Sequence, residues 1–268
     1  RAHGRAGIPV YGFDYESSDY GFRSRYGIHE QCPHPFQNPD ALARLLVERA
    51  RRCAAPPVLY VTSDVFAGFA SDYRDTLKPY LVHALPPKHA VMAALDKRSQ
   101  YLRAKEAGIP VPPTYWPSAR EEVLAIATTL SYPVVVKPAI GHHRPERFHG
   151  AKALRVEGRD ELLDLFEAML ARGQTALIQS FIAGPNTNHC KVCVYIGADG
   201  AARACICMQK IRQFPVDFGV GTMMESVDHP ELAELGLRFC PAMEWRGPGS
   251  IEFKRSAWEH IRLGRLTA

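Results

Sequence analysis

The sequence has no apolar stretch approaching the roughly 18 residues that a membrane span needs, and polar residues interrupt each hydrophobic run, so a membrane partner is not expected. It also lacks any run of about five or six like charges. Its 33 Lys and Arg against 28 Asp and Glu leave a net charge of +5 spread along the chain, which argues against a nucleic-acid surface. Internal repeats and low-complexity tracts are absent. So are a Walker phosphate loop and a Gly-x-Gly-x-x-Gly loop, and no Ser-His-Asp or Cys-His set stands out. The seven cysteines are an odd set without the spacing of a secreted disulfide scaffold, which favours reduced thiols in the cytosol. Cys190 and Cys193, then Cys205 and Cys207, invite a zinc reading. On strands, however, 190 and 193 face opposite sides whereas 205 and 207 share one, so buried apolar thiols are expected instead.

What the sequence does contain is 46% apolar residues over 268 positions, enough for a real core and for one or two domains. It opens at Arg1 in a segment, Arg1 to Ala6 closed by Gly7, that reads as the end of a helix, so the natural start is expected upstream. Ile8 to Asp14 reads as a buried strand. Asn38-Pro39-Asp40 offers an N-cap with Pro at the first helical position of a helix to Arg52, and Val58 to Val61 is a second strand. Strands alternating with helices predict a parallel α/β layer up to about residue 90.

A second unit opens with a helix from Ala93 to Ala107, closed by Gly108. Ser118 and Glu121 suggest a capping box for a helix to Leu130. Strands are expected at 133–138, 152–156 and 176–179, with a polar loop over 139–151 and a helix over 160–172. The runs 189–196 and 203–211 around Ala198-Asp199-Gly200 predict a hairpin, and a helix over 230–240 and a strand over 249–254 follow. Lys137 ends an apolar β run, a costly place for an ammonium unless it reaches an anion or snorkels to solvent, and the residue alone leaves both open.

Read in order, Asp96-Lys97, Ala107 to Pro112, Val134-Val135-Val136-Lys137-Pro138, Gln179-Ser180-Phe181-Ile182-Ala183-Gly184 and Gly249-Ser250-Ile251-Glu252-Phe253-Lys254 have the spacing of ATP-grasp ligases. Residues 94–255 resemble that family, most closely the bacterial proteins grouped with D-aspartate ligase and carbamoyl-phosphate-synthase-like carboxylate-amine ligases. The resemblance implies an α/β and α+β fold. A parallel α/β pre-ATP-grasp domain over 1–93, lacking its first strand, precedes a two-subdomain ATP-grasp fold. Its N-terminal subdomain with a lid loop covers 94–184, and its C-terminal subdomain, incomplete, covers 185–268. The implied function is an ATP-dependent ligase that forms an acyl phosphate and ADP, with ATP and Mg²⁺ as cofactors, a small-molecule carboxylate and amine as substrates, and a cytoplasmic location. No oligomeric state is implied. Two rival readings are an ATP-grasp enzyme acting on another phosphoryl acceptor and a nucleotide-binding, catalytically incomplete fragment.

By the same resemblance, Lys97, Lys137 and Lys152 approach the ATP phosphates, and 139–151 forms the mobile lid, with Gly141 and Gly150 supplying hinges. The basic cluster His142, His143, Arg144, Arg147 and His149 would add charge there, the alternative being a solvated polar loop. Gln179, Ser180, Phe181 and Ile182 form the adenine hinge, where family members often carry Glu in place of Ser180. Asn186 stands where an acid usually binds the ribose. Arg212 faces substrate or lies on the surface, and Glu252 is a metal-binding acid or an outward-facing strand residue. The family's second metal-binding strand, with a Glu-Ile-Asn-Pro-Arg-like motif, has no match in 256–268, so weak turnover is expected, Glu259 being the one carboxylate placed to substitute.

Overall fold

A computed structural model of the chain describes residues 2–138, 153–216, 218–256 and 261–267. It divides into two compact units, Arg1–His83 and Ala84–Ala268. In the first, α1 (Ala2–Arg5), β1 (Tyr11–Asp14), β2 (Ile28–Gln31), α2 (Pro39–Arg51), β3 (Val58–Leu59), α3 (Asp64–Asp72), α4 (Arg74–Leu77) and β4 (Val82–His83) follow one another. β1 pairs with β2 and β3 with β4, both in parallel, as the alternating pattern predicts. β2 escapes the sequence reading because Ile28-His29-Glu30-Gln31 has one apolar residue; the β1 ladder and the ion pair of Glu30 with Arg49, at 2.8 Å, hold it. Asn38 does precede Pro39 at the start of α2, but its side chain makes no capping bond. Leu42, Ala43, Leu46 and Ala50 bury one stripe of this helix.

In the second unit the single helix expected over 93–107 is two, α5 (Lys88–Leu95) and α6 (Lys97–Glu106). Asp96 divides them: its backbone is extended and its carboxylate accepts from the N–H groups of Arg98 and Ser99, so it stops one helix and caps the next. After β5 (Thr114–Tyr115) comes α7 (Arg120–Ala127). Its capping carboxylate is Glu122 rather than Glu121, since Glu122 Oε2 accepts from Ser118 N at 2.7 Å. β6 (Val134–Pro138), β7 (Leu154–Val156), α8 (Arg159–Leu170) and β8 (Ala176–Ser180) complete a four-stranded antiparallel sheet in the order β5-β8-β6-β7. Val134, Val136, Ala176 and Ile178 pack on Val123, Leu162, Phe166 and Met169 of α7 and α8, so the alternate residues Val135, Lys137, Leu177 and Gln179 face the other way.

β9 (His189–Ile196), β10 (Ala202–Phe214), β11 (Val220–Val227), α9 (Pro230–Ala242), β12 (Gly247–Arg255) and β13 (Ile261–Thr267) form the remainder. The sheet order is β11-β10-β9-β12-β13, all antiparallel. The Asp199-Gly200 hairpin forms as expected, with Gly200 at φ +85°. β13, by contrast, has no counterpart in the sequence reading. It is held by buried Ile261, Leu263 and Leu266, by Tyr101 Oη donating to Gly264 O at 2.9 Å, and by Leu266 N donating to buried Gln100 Oε1 at 2.8 Å. One face of the sheet, with Val192, Val194, Ile251 and Phe253, packs on Leu232, Leu235 and Phe239 of α9 and on fully buried Trp245. A Cβ at Gly236 of α9 would stand 2.7 Å from Val192 Cγ1. Gly236→Ala should therefore cost about 1–3 kcal/mol through overpacking, more than alanine's helix propensity returns. A thermal melt with an unchanged or higher Tm would contradict this packing.

Candidate functional site

The face of the five-stranded sheet opposite α9 carries the polar residues of the alternation. Glu252 pairs in register with Lys191, and Lys254 with His189, across β12 and β9. The face of the four-stranded sheet opposite α7 and α8 carries Lys137 and Gln179. These two faces meet around His189. Its imidazole is pushed down to about 3 by burial and by the charges of Lys210, Lys254 and Lys137, so it is neutral at physiological pH. Burial together with Lys210 and Lys137 lowers the Lys254 ammonium as well. Three ammonium groups converge here from β6, β10 and β12, and neither Lys137 nor Lys254 has a carboxylate partner among the described residues. Such a cluster is a standing attraction for an anion.

Lys137 leans on the neutral Gln179 instead: its Nζ donates to Gln179 Oε1 at 2.7 Å. Gln179 Nε2 in turn donates to Thr114 Oγ1 at 2.9 Å, whose own hydroxyl donates to Pro112 O at 2.7 Å, so the donor-only ammonium and the accepting threonine together fix which end of the amide faces the lysine. Only 4% of Gln179 is exposed, and both ends of its buried amide have a partner. The Gln179 side chain is thus tied to Lys137, while the part proposed for this segment at the adenine belongs to its backbone. Lys97, first residue of α6, donates to Pro138 O at 2.8 Å, which brings it to the end of the strand that carries Lys137.

Along the hinge, Ser180 N donates to Pro113 O at 3.0 Å. The Phe181 ring lies under two cations, Arg155 Cζ at 4.7 Å and Lys254 Nζ at 5.2 Å, an arrangement that ties the hinge to both sheets. Ile182 is half-buried in the same connection. Asn186 Nδ2 donates to Val216 O at 3.3 Å, leaving its carbonyl oxygen for a hydroxyl donor. Arg212 is exposed on β10 where the register with β11 shifts, and its side chain makes no hydrogen bond or ion pair among the described residues. It is not drawn into the lysine cluster. Gly141, Gly150, Lys152, the remainder of the loop 139–151 and Glu259 lie outside the described residues.

Sequence reasoning missed His189, Lys210 and Lys254. Lys254 was within reach of it, because it alternates with the singled-out Glu252 on one strand. Lys210 sits far along the hairpin and has no local signature.

Glu252 lies on the open face, and its Oε1 is 3.4 Å from Lys191 Nζ. A divalent cation needs several hard oxygen donors, whereas the described residues contain no group of three His, Cys, Asp or Glu side chains, and the one carboxylate at this position already holds an ammonium. Among the described residues this donor set, a single carboxylate in contact with an ammonium, does not fit Mg²⁺. The thiols divide as their spacing requires: Cys190, Cys205, Cys207 and Cys240 border the α9 core, while Cys193 meets Met208 Sδ at 3.9 Å on the open face. Among the described residues no helix is long and apolar enough to cross a membrane.

No protein-family sequence model and no curated protein matches the chain. Solved structures do. The L-amino acid ligase from Bacillus licheniformis superimposes with a TM-score of 0.70 at 16% identity, over 99% of this chain and 62% of its own. Biotin carboxylase from Campylobacter jejuni, solved with β-γ-ATP, gives 0.70 at 18% over 100% and 61%. N5-carboxyaminoimidazole synthetase from Staphylococcus aureus, complexed with ADP, gives 0.69 at 14% over 98% and 64%. The chain thus spans less than two thirds of these proteins' length, and at such identities the likeness speaks to architecture. The sheets, the hinge between them and these superpositions agree that the chain has the ATP-grasp fold.

Proposed function

We propose that this chain is an ATP-dependent carboxylate-amine ligase of ATP-grasp type, with residues 94–184 and 185–268 as the two halves around the nucleotide. The observation that carries the reading is the convergence of Lys137, Lys210 and Lys254 on neutral His189 between the two sheets. The adenine would lie along 180–182 and the ribose near Asn186. Structures of the same fold were solved with β-γ-ATP and with ADP, which supports nucleotide binding as such. In the reaction, a substrate carboxylate oxygen bonds to the γ-phosphorus while the bond to the ADP oxygen breaks. The amine then attacks the acyl carbon and phosphate leaves. The lysines spread the developing negative charge, and His189 offers a hydrogen bond without adding to their mutual repulsion, so no side-chain nucleophile is required. Seven free thiols fit a reducing cytoplasm.

A second reading, binding without turnover, is favoured by the Glu252–Lys191 pair. Calorimetry with ATP followed by ADP release across a panel of acids and amines separates them. Release that needs both an acid and an amine is expected. Release with bicarbonate or another acceptor alone would replace the amine ligase with a different phosphoryl acceptor, and binding without release would leave a nucleotide-binding protein.

A further inference from the structure

In the five-stranded sheet Glu252 on β12 is paired in register with Lys191 on β9. Residues directly opposite across adjacent strands share a face and interact. Lys191 Nζ reaches Glu252 Oε1 at 3.4 Å. The next residue on this face of β12 is Lys254, opposite His189, and Ile261–Thr267 of β13 includes no Asp or Glu. A carboxylate in contact with one ammonium and followed on the same face by a second lysine presents net positive charge, the reverse of what collects a divalent cation, and Mg²⁺ gives up its water reluctantly.

We infer that this face takes the polyphosphate of the nucleotide without a divalent cation, Lys191 occupying Glu252 in the metal's stead. The inference rests on the nucleotide-binding reading above and adds to it a preference for the free, more highly charged nucleotide over its magnesium complex. Lys191 is the specificity-determining residue. Replacing it removes the competitor for Glu252, whereas replacing Glu252 removes a negative charge from beside the phosphates and releases an ammonium toward them.

The experiment is calorimetric titration of ADP and of a non-hydrolysable ATP analogue into the full chain at constant ionic strength, once with EDTA and once with excess Mg²⁺. Binding with EDTA should be equal to, or about threefold tighter than, binding with Mg²⁺. Lys191→Ala should reverse the order, so that Mg²⁺ strengthens binding. Glu252→Gln should tighten metal-free binding by about five- to tenfold, a gain that partial unfolding does not mimic. Tightening of the unsubstituted chain by about tenfold or more on adding Mg²⁺ would overturn the inference while leaving nucleotide binding intact. So would weakening of magnesium-supported binding by Glu252→Gln. No binding under either condition would overturn the nucleotide-binding reading itself.

Discussion

Lys137→Ala is expected to weaken ATP binding by about 30- to 100-fold, the worth of a charge-assisted hydrogen bond to a phosphate in a partly enclosed site. The ammonium that the β6 strand end delivers to the cluster disappears, which is the source of the loss; Gln179 Oε1, bonded to it at 2.7 Å, is also left as a buried acceptor without its donor, which costs stability in the free and bound protein alike. Lys137→Arg should recover only part of the affinity, because a planar guanidinium cannot take the same position between Gln179 and an anion. Calorimetry decides the matter: an affinity within about threefold of the parent for Lys137→Ala would remove this lysine from the nucleotide site.

Acid should destabilise the protein through His189, and the sign follows from its depressed pKa. Unfolded, the imidazole binds a proton near its ordinary 6.5; folded, it stays neutral down to about 3 because burial and Lys210, Lys254 and Lys137 oppose a fourth positive charge. Between these values the unfolded state holds the extra proton, so stability falls as pH drops, by up to about 1 kcal/mol per pH unit. His189→Gln, which cannot titrate, should flatten the stability profile between about pH 6 and pH 4. Denaturant melts across that range giving parallel curves for both proteins would show that His189 does not report on the cluster. Bound nucleotide should also shift the acid limb to lower pH, since an anion among the lysines lessens the repulsion that keeps the imidazole neutral.

Much of the architecture was legible because its signals are local. The apolar run of 134–136, the β-rich runs 189–196 and 249–254, the Asp199-Gly200 turn and the closing Gly108 each specify backbone conformation within a few residues. Two failures share one cause. The break at Asp96 and the choice of Glu122 over Glu121 turn on which side chain reaches a free N–H, and helix spacing alone does not show that. β2 and β13 failed for a different reason: four-residue Ile28–Gln31 and the Gly-interrupted Ile261–Thr267 become strands only when a neighbouring strand supplies the ladder and, for β13, when α6 supplies Gln100 and Tyr101.

The order of its local signals determined, from the sequence alone, that this chain alternates helix and strand and then closes with an antiparallel sheet, while the grouping of Lys97, Lys137, the 179–182 segment and Glu252 is what the family resemblance implies. Chain order and residue chemistry carry that information, because strand alternation already sends Glu252 to the face opposite Ile251 and Phe253. Only the tertiary structure decided what those residues touch. Gln179 turned out to serve Lys137, Arg212 stood apart, and His189, Lys210 and Lys254, separated by up to 65 positions, were gathered beside Lys137 from three strands of a second sheet. Cross-strand register also placed Lys191 on Glu252, a pairing set by how many residues the intervening helix and hairpins consume before β12 returns alongside β9.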